Sequence, residues 1–277
     1  MAIKNFLPTV WSETLYQKLD TQYIAVANCN RDFDGDIKNL GSVVKICGVG
    51  NVDVFDYTKN TDMYAPQMLS DTVKEIAINR ARGFNFQIDD VDRAQAAPKL
   101  MEAAMKNAAS ALADDADKYV FSLLADINNE IVIEEPTEQS VIDAIFEARK
   151  TLYENNVTDS GEVVIEVSPA TAQIILKAKA QLATDNTETL EKGCLGTIAG
   201  CKIFVSNNIY ISEEPDYTYH YCTMRTKRAV AFAEQISDIE AYRPEKRFAD
   251  AVKGLHLYGA AIVYPEEVVS IKVGYPV

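Results

Sequence analysis

The chain has 277 residues, 48% hydrophobic and 25% charged, with 41 acidic against 27 basic residues and a net charge of −14. That balance fits a soluble, folded chain with a sizeable core, and the acidity disfavours recognition of a phosphate backbone. No apolar run approaches the roughly 18 residues of a membrane span, and the first residues, MAIKNFLPTVWSETLYQ, lack the layout of a secretion signal.

Five cysteines without a CxxC pair (Cys29, Cys47, Cys194, Cys201 and Cys222) suit free structural thiols in a reducing cytoplasm better than disulfides or zinc. The sequon at Asn156 has no role in such a compartment.

Residues 1 to about 40 are irregular, except that Trp11, Leu15 and Leu19 recur every four residues and predict a short helix after Pro8. The stretch RDFDGD places Asp32, Asp34 and Asp36 at calcium-loop spacing. Its glycine comes at the fourth position instead of the sixth, and Val43 stands where a bidentate glutamate belongs, so it reads as a solvated turn.

From Gly41 to Asp90 the pattern has period two. SVVKICGVGNVDVFDY and VKEIAINRARGFNFQIDD flank a polar, turn-rich tip, and Phe84, Phe86 and Ile88 alternate with polar residues. This predicts a long hairpin. Having few apolar residues near its tip, such a limb finds its burial on another surface. The residues expected to make those contacts are Trp11 in the N-terminal arm, Tyr57, Met63, Tyr64 and Met68 at the tip, and Phe84 and Phe86 near the base. Lys45, Lys59 and Lys74 also lie in the limb, with no pattern that assigns a crosslink.

Asp89, Asp90 and Asp92 precede the strongest helix, where carboxylates favour the positive end of the helix dipole. With Pro98 in its first turn, KLMEAAMKNAASALADDADKYVFSLLAD carries Met101, Met105, Ala108, Leu112, Tyr119 and Leu123 on one stripe. At 1.5 Å per residue it forms a rod of roughly 40 Å, a spine under a sheet.

After the break NNEIVIEEPTEQS, a second helix aligns Val141, Ile142, Ile145, Phe146 and Leu152. EVVIEV is a short buried strand, and Ser168 and Pro169 open a third helix as N-cap and first residue. The glycines of EKGCLGTIAGCKIFVSNNI, with Lys202, suggest a phosphate loop. However, a phosphate loop needs a strand before it and a helix after it, and here the order is reversed. Gly196 and Gly200 therefore read as turn residues.

The remaining segments are strand-like, and His220 and His256 lie in strands with no motif around them. No GxSxG, HExxH or Cys–His pattern appears, so no catalytic, cofactor-binding or metal-ligating residue is assigned, and no cofactor is expected.

The order of parts is more informative than any motif. NTDMYAPQMLSDTVKEIAINRARGFNFQIDDVDRAQ, LMEAAMKNAASALADDADKY, VVIEVSPATAQIIL, GTIAGCKIFVSNNI and DIEAYRPEKRFADAVKGLHLYGAAIVYPEEVVSIKV together resemble a tailed-phage major capsid (coat) protein of the Hong Kong 97 fold. The resemblance implies an α+β chain with an N-terminal arm (1–40) and an extended β-hairpin loop (41–90). It further implies a peripheral domain with a long spine helix (91–135 and 236–277) and an axial domain (136–235).

The implied function is self-assembly, as pentamers and hexamers, into an icosahedral shell. That shell encloses double-stranded DNA without sequence-specific binding. The chain starts almost at the arm, which implies either a separate scaffolding protein or a mature form, Met1 favouring the former; a portal protein is a further implied partner, and the implied location is the virion, assembled in the host cytoplasm.

Two other readings stand beside it. One is an encapsulin-type nanocompartment shell of the same fold. The other is a soluble acidic hydrolase using Asp89, Asp90 or Asp92.

Overall fold

The computed structural model describes residues 22–33, 41–49, 71–89, 99–157, 163–181, 194–246 and 248–277, with residues 15, 18, 19, 56 and 59. The expected contact residues Trp11, Tyr57, Met63, Tyr64 and Met68, the aspartates Asp34, Asp36, Asp90 and Asp92, and Pro98 lie outside the described residues.

Two sheets share the body. The larger has seven strands: β4 (Glu130–Glu134), β5 (Val163–Val167), β6 (Cys194–Ile198), β7 (Cys201–Val205), β8 (Ile211–Glu213), β9 (Tyr217–Thr226) and β12 (Val268–Pro276). Its order is β4-β12-β9-β5-β7-β6, with β8 also on β9. β4 runs parallel to β12 and β5 parallel to β7, and the other pairs are antiparallel.

The smaller sheet is antiparallel and has the order β10 (Val230–Tyr242), β11 (Ala249–Ile262), β3 (Arg80–Asp89). Short 3-10 turns at Lys227–Ala229 and Pro265–Glu267 carry the chain from β9 into β10 and from β11 back to β12, tying the sheets together.

The spine helix α1 (Lys99–Leu124) matches the predicted rod to within two residues. It buries Met105, Ala109, Leu112, Ala113, Ala116, Val120, Phe121 and Leu124 against Phe232, Val252 and Tyr258 of the smaller sheet. The buried stripe takes Ala109, Val120 and Leu124 where Ala108, Tyr119 and Leu123 were expected. Tyr119 instead points along the helix edge, edge-on to Tyr258 at 5.7 Å and under Arg80 at 4.8 Å.

Helices α2 (Glu138–Glu154) and α3 (Pro169–Gln181) pack beside the larger sheet. Thr137 and Ser140 form a reciprocal capping box at the start of α2. Ser168 Oγ accepts the Thr171 backbone N–H at 3.2 Å, as its N-cap role requires. On α2, Val141, Ile145 and Leu152 are buried as expected, but Phe146 is 53% exposed and Arg149 takes a buried position.

Three features of the topology change or extend the expectations. First, the hairpin predicted over 41–90 is formed by β1 (Val43–Val49) and β2 (Asp71–Ala77), paired from Val43↔Ala77 to Val49↔Asp71. β3 leaves that limb and pairs with β11 along its whole length. Alternation marks a strand but does not name its partner, and Asn79 interrupts the run between β2 and β3.

Second, β12, whose alternation named no partner, lies between β4 and β9 in the larger sheet.

Third, the N-terminal segment docks on its own subunit. Leu15, Leu19, Tyr23, Ala25 and Val26 are buried in the same core as α1, and Asn30 bridges to Ala231.

Candidate functional site

Gly196, with a φ of 118°, sits at a register shift within β6 and is not a turn residue, whereas Gly200 forms the turn. Ala199 and Gly200, both with positive φ (52° and 78°), make the two-residue connection between β6 and β7. This is the twist that a tight hairpin demands. Lys202 sits on β7 opposite Thr197, inside the sheet. Backbone N–H groups that a phosphate would need are committed to strand pairing.

The other chemical candidates separate in space. Asp32 is held by its own turn, its N–H donating to Asn30 Oδ1 at 3.0 Å. Asp89 ends β3 opposite Ala249. His220 lies beside Tyr275, ring centroids 4.9 Å apart, and burial lowers its pKa. His256 is fully buried, with Nε2 2.8 Å from Glu234. Among the described residues no three metal-ligating side chains converge. No described helix is long and apolar enough to cross a membrane.

Phe84 and Phe86, expected to hold the limb, stack at 6.0 Å on β3 and pack against the α1 core. They belong to the body on which the limb stands. The limb rests on that body through Val44, Ile76 and Ile78, which are buried against Ala231, Ala233, Leu257 and Val263. Its other face is open: Val43 and Val73 are exposed, and Lys45 and Glu75 pair across the strands at 3.8 Å.

One set of buried polar groups holds the N-terminal segment, a role that sequence reasoning missed. Arg225 on β9 is fully buried. Its Nε and Nη2 donate to the two carboxylate oxygens of Glu166 on β5 at 2.9 Å each. Its Nη1 donates to the Asn28 carbonyl at 2.7 Å, and Nη2 also to the Ala25 carbonyl at 2.9 Å. Burial works against the charge on Arg225, but the Glu166 carboxylate outweighs it and raises the pKa. The detectable signal was Glu166, a charged residue inside the apolar run EVVIEV.

A second cluster joins Tyr23, Arg31 and His256 to Glu234 on β10. The Tyr23 hydroxyl and an Arg31 guanidinium nitrogen each lie 2.5 Å from that carboxylate.

Asp117 on α1 accepts the backbone N–H groups of Ile24 and Val26, both at 3.0 Å. Burial pushes its carboxyl from 3.8 up to about 7, against the pull of those N–H donors, and the charge of Glu166 adds to the rise. The folded state therefore holds a proton that the unfolded chain releases, and this group's contribution to stability falls as pH rises from 3.8 to about 7. The melting temperature of the wild type minus that of Asp117→Asn is expected to shrink across that window. A constant difference would contradict the assignment.

The described residues form two tied sheets, a long helix, an anchored N-terminal segment and a two-stranded limb. No protein-family model matches the sequence, and no curated protein does either. Solved structures do match. One from Mycobacterium phage Che8 is 28% identical with a TM-score of 0.70, over 90% of this chain and 91% of that one. The capsid of Ralstonia phage GP4 is 13% identical, TM-score 0.67, over 94% and 91%.

The chain has the Hong Kong 97 fold of tailed-phage capsid proteins. A virus-like particle from Pyrococcus furiosus shares the fold at 11% identity and a TM-score of 0.54, over 94% of this chain and 96% of that one.

Proposed function

We infer that this chain is the major capsid protein of a tailed phage, building the icosahedral shell that encloses its double-stranded DNA. The observation that carries the reading is the match to the Che8 phage structure over nine-tenths of both chains. Pentamers and hexamers of one subunit supply the curvature, through heterologous contacts that close into rings. The net charge of −14 keeps the inner wall from adhering to packaged DNA. A scaffolding protein and a portal protein are the partners such a shell requires, and the virion is its location. The work is architectural, and no catalytic step is assigned.

The encapsulin-type shell remains the second reading, favoured by the likeness to the Pyrococcus furiosus particle. A cargo protein co-purifying with the shells, in place of DNA, would select it.

The limb supplies the test. Val49 and Asp71 are paired neighbours, so replacing residues 50–70 by Asn-Gly closes β1 and β2 with a two-residue turn and leaves the buried base intact. The shortened protein is expected to fold with a near-normal melting temperature and to lose at least ~10-fold in assembled fraction by sedimentation, roughly the loss of 1.4 kcal/mol in contacts. Shells in normal yield would contradict an assembly role for the limb.

A further inference from the structure

The buried face of α2 contains an anomaly. Arg149 is 3% exposed, and none of its three guanidinium nitrogens has a hydrogen-bond partner among the described residues. Leaving a buried cation unpaired is costly, and Arg225, the other deeply buried arginine among the described residues, is fully paired. The Arg149 guanidinium lies 4.1 Å from the centroid of the Tyr153 ring, itself half exposed. Around it Phe146, Lys150, Tyr153, Glu154 and the turn residue Ala199 line a cleft of about 560 Å³. Among the described residues Lys150 pairs with Glu154 on the same exposed helix turn, at 3.5 Å, a pairing of little strength.

The other end of the same sheet is acidic. Register fixes the two ends: β9 runs from Tyr217, opposite Pro276, to Thr226, opposite Val163. The Ala199–Gly200 turn and the C-terminal half of α2 lie at the Thr226 end. Glu134 follows its β4 strand to the Tyr217 end, where Gly274 is its partner, and the exposed turn carrying Glu213, Glu214 and Asp216 leads into β9 there. After burial itself, Glu134, Glu135 and Asp216 raise the Tyr217 pKa, and Glu134 and Glu214 that of Tyr219. By register these carboxylates share one end of the sheet, where Glu214 is paired with Lys272 at 3.3 Å. Ten residues of β9 at about 3.3 Å each separate the two ends by roughly 30 Å.

We propose that the Arg149 cleft receives the acidic end of a second copy of this chain, the carboxylates of Glu134, Glu135 and Asp216 pairing with Arg149 and Lys150. This rests on the self-assembly reading above. The two surfaces differ and lie at opposite ends of one sheet, so they cannot meet within a subunit. Between subunits they make a head-to-tail contact that repeats around a ring or lattice.

Phe146 and Tyr153 provide the aromatic walls that interfaces favour. Tyr153 turns aside to open the guanidinium, a rotamer change of the kind binding commonly involves. The carboxylate then makes the charge-assisted bonds Arg149 lacks in the isolated subunit. The contact also offsets repulsion between subunits that each carry a net charge of −14.

Arg149→Leu and the triple variant Glu134→Gln, Glu135→Gln, Asp216→Asn test the contact, separately and combined, against the wild type. Assembled fraction is read by sedimentation and folding by thermal melting. Arg149→Leu is expected to melt no lower than the wild type, since an unpaired buried charge is removed, and to lose at least ~10-fold in assembled fraction, roughly 1.4 kcal/mol. The triple variant should lose a similar factor, and the combination no more than either alone, because both sides belong to one contact.

Wild-type shells alongside equal yields from Arg149→Leu overturn the contact alone. Normal assembly of the triple variant, or losses that multiply in the combination, does the same. A wild type that stays monomeric at every concentration, alone and with its neighbouring genes co-expressed, overturns both the contact and the capsid reading. If Arg149→Leu fails to fold, the triple variant, altered only at exposed residues, decides.

Discussion

Arg225→Met is expected to lower the unfolding free energy by about 3–5 kcal/mol. The substitution keeps much of the buried volume but removes a guanidinium that serves three partners. The Glu166 carboxylate, fully buried, retains only neutral donors: Thr223 Oγ1 at 3.0 Å and Asn28 Nδ2 at 3.2 Å. The Asn28 carbonyl loses its donor, a cost of about 1–3 kcal/mol if left unmade, while the Ala25 carbonyl keeps the Asn28 N–H at 3.1 Å and the Cys29 thiol at 3.2 Å.

Adding Glu166→Leu removes the orphaned charge and is expected to recover part of the loss, since buried ion pairs replaced by apolar groups are often near neutral. The Asn28 carbonyl stays unpaired, so amide exchange over residues 24–30 should remain faster than in the wild type. Denaturant titration reads the energies. A single variant within about 0.5 kcal/mol of the wild type would show that the N-terminal segment is held by other contacts.

Gly259→Ala should have the second large effect. A Cβ there would lie 2.3 Å from the Ala77 carbonyl oxygen, 3.0 Å from its carbon and 3.1 Å from Ile78 Cα. These are backbone atoms and cannot rotate away. The end of β2 must lift from β11, opening the packing of Val44, Ile76 and Ile78 on Ala233 and Leu257. Overpacking of this kind costs about 1–3 kcal/mol, and it also tilts the limb, so assembly should fall even where the body stays folded.

Gly254→Ala is the control. Its Cβ meets the Phe84 ring at 2.6 Å, a side chain that can shift, so the limb's seat is spared. Equal melting temperatures and equal assembly for Gly259→Ala and the wild type would contradict the close approach.

Local structure was legible where one residue type carries it. Alanine-rich α1 was bounded to within two residues, Ser168 caps α3, and Gly200 turns β6 into β7. Leu15 and Leu19 carried the right apolar spacing, and both are buried. What the sequence could not show is partnership. Phe84, Phe86 and Ile88 alternate as a strand whether they return along β1 or lie against β11, and only the second is found. Val269, Ile271 and Val273 alternate in the same way, yet their strand sits beside β9.

On α2 the spacing that put Phe146 in the core did so for an arm of the helical stripe that faces outward, while Arg149 lies inward. Apolar periodicity does not anticipate a buried cation. The contact residues Tyr57, Met63, Tyr64 and Met68 were read as a limb without a core of its own, and they remain a proposal about neighbours.

Sedimentation velocity of the purified full-length protein, with electron microscopy of the fast fraction, tests the central claim most directly when run beside the variant lacking residues 50–70. The capsid account predicts closed shells from the intact chain and slow-sedimenting, folded subunits from the shortened one. An intact chain that stays a folded monomer at high concentration, alone and with the genes that neighbour it co-expressed, would contradict it.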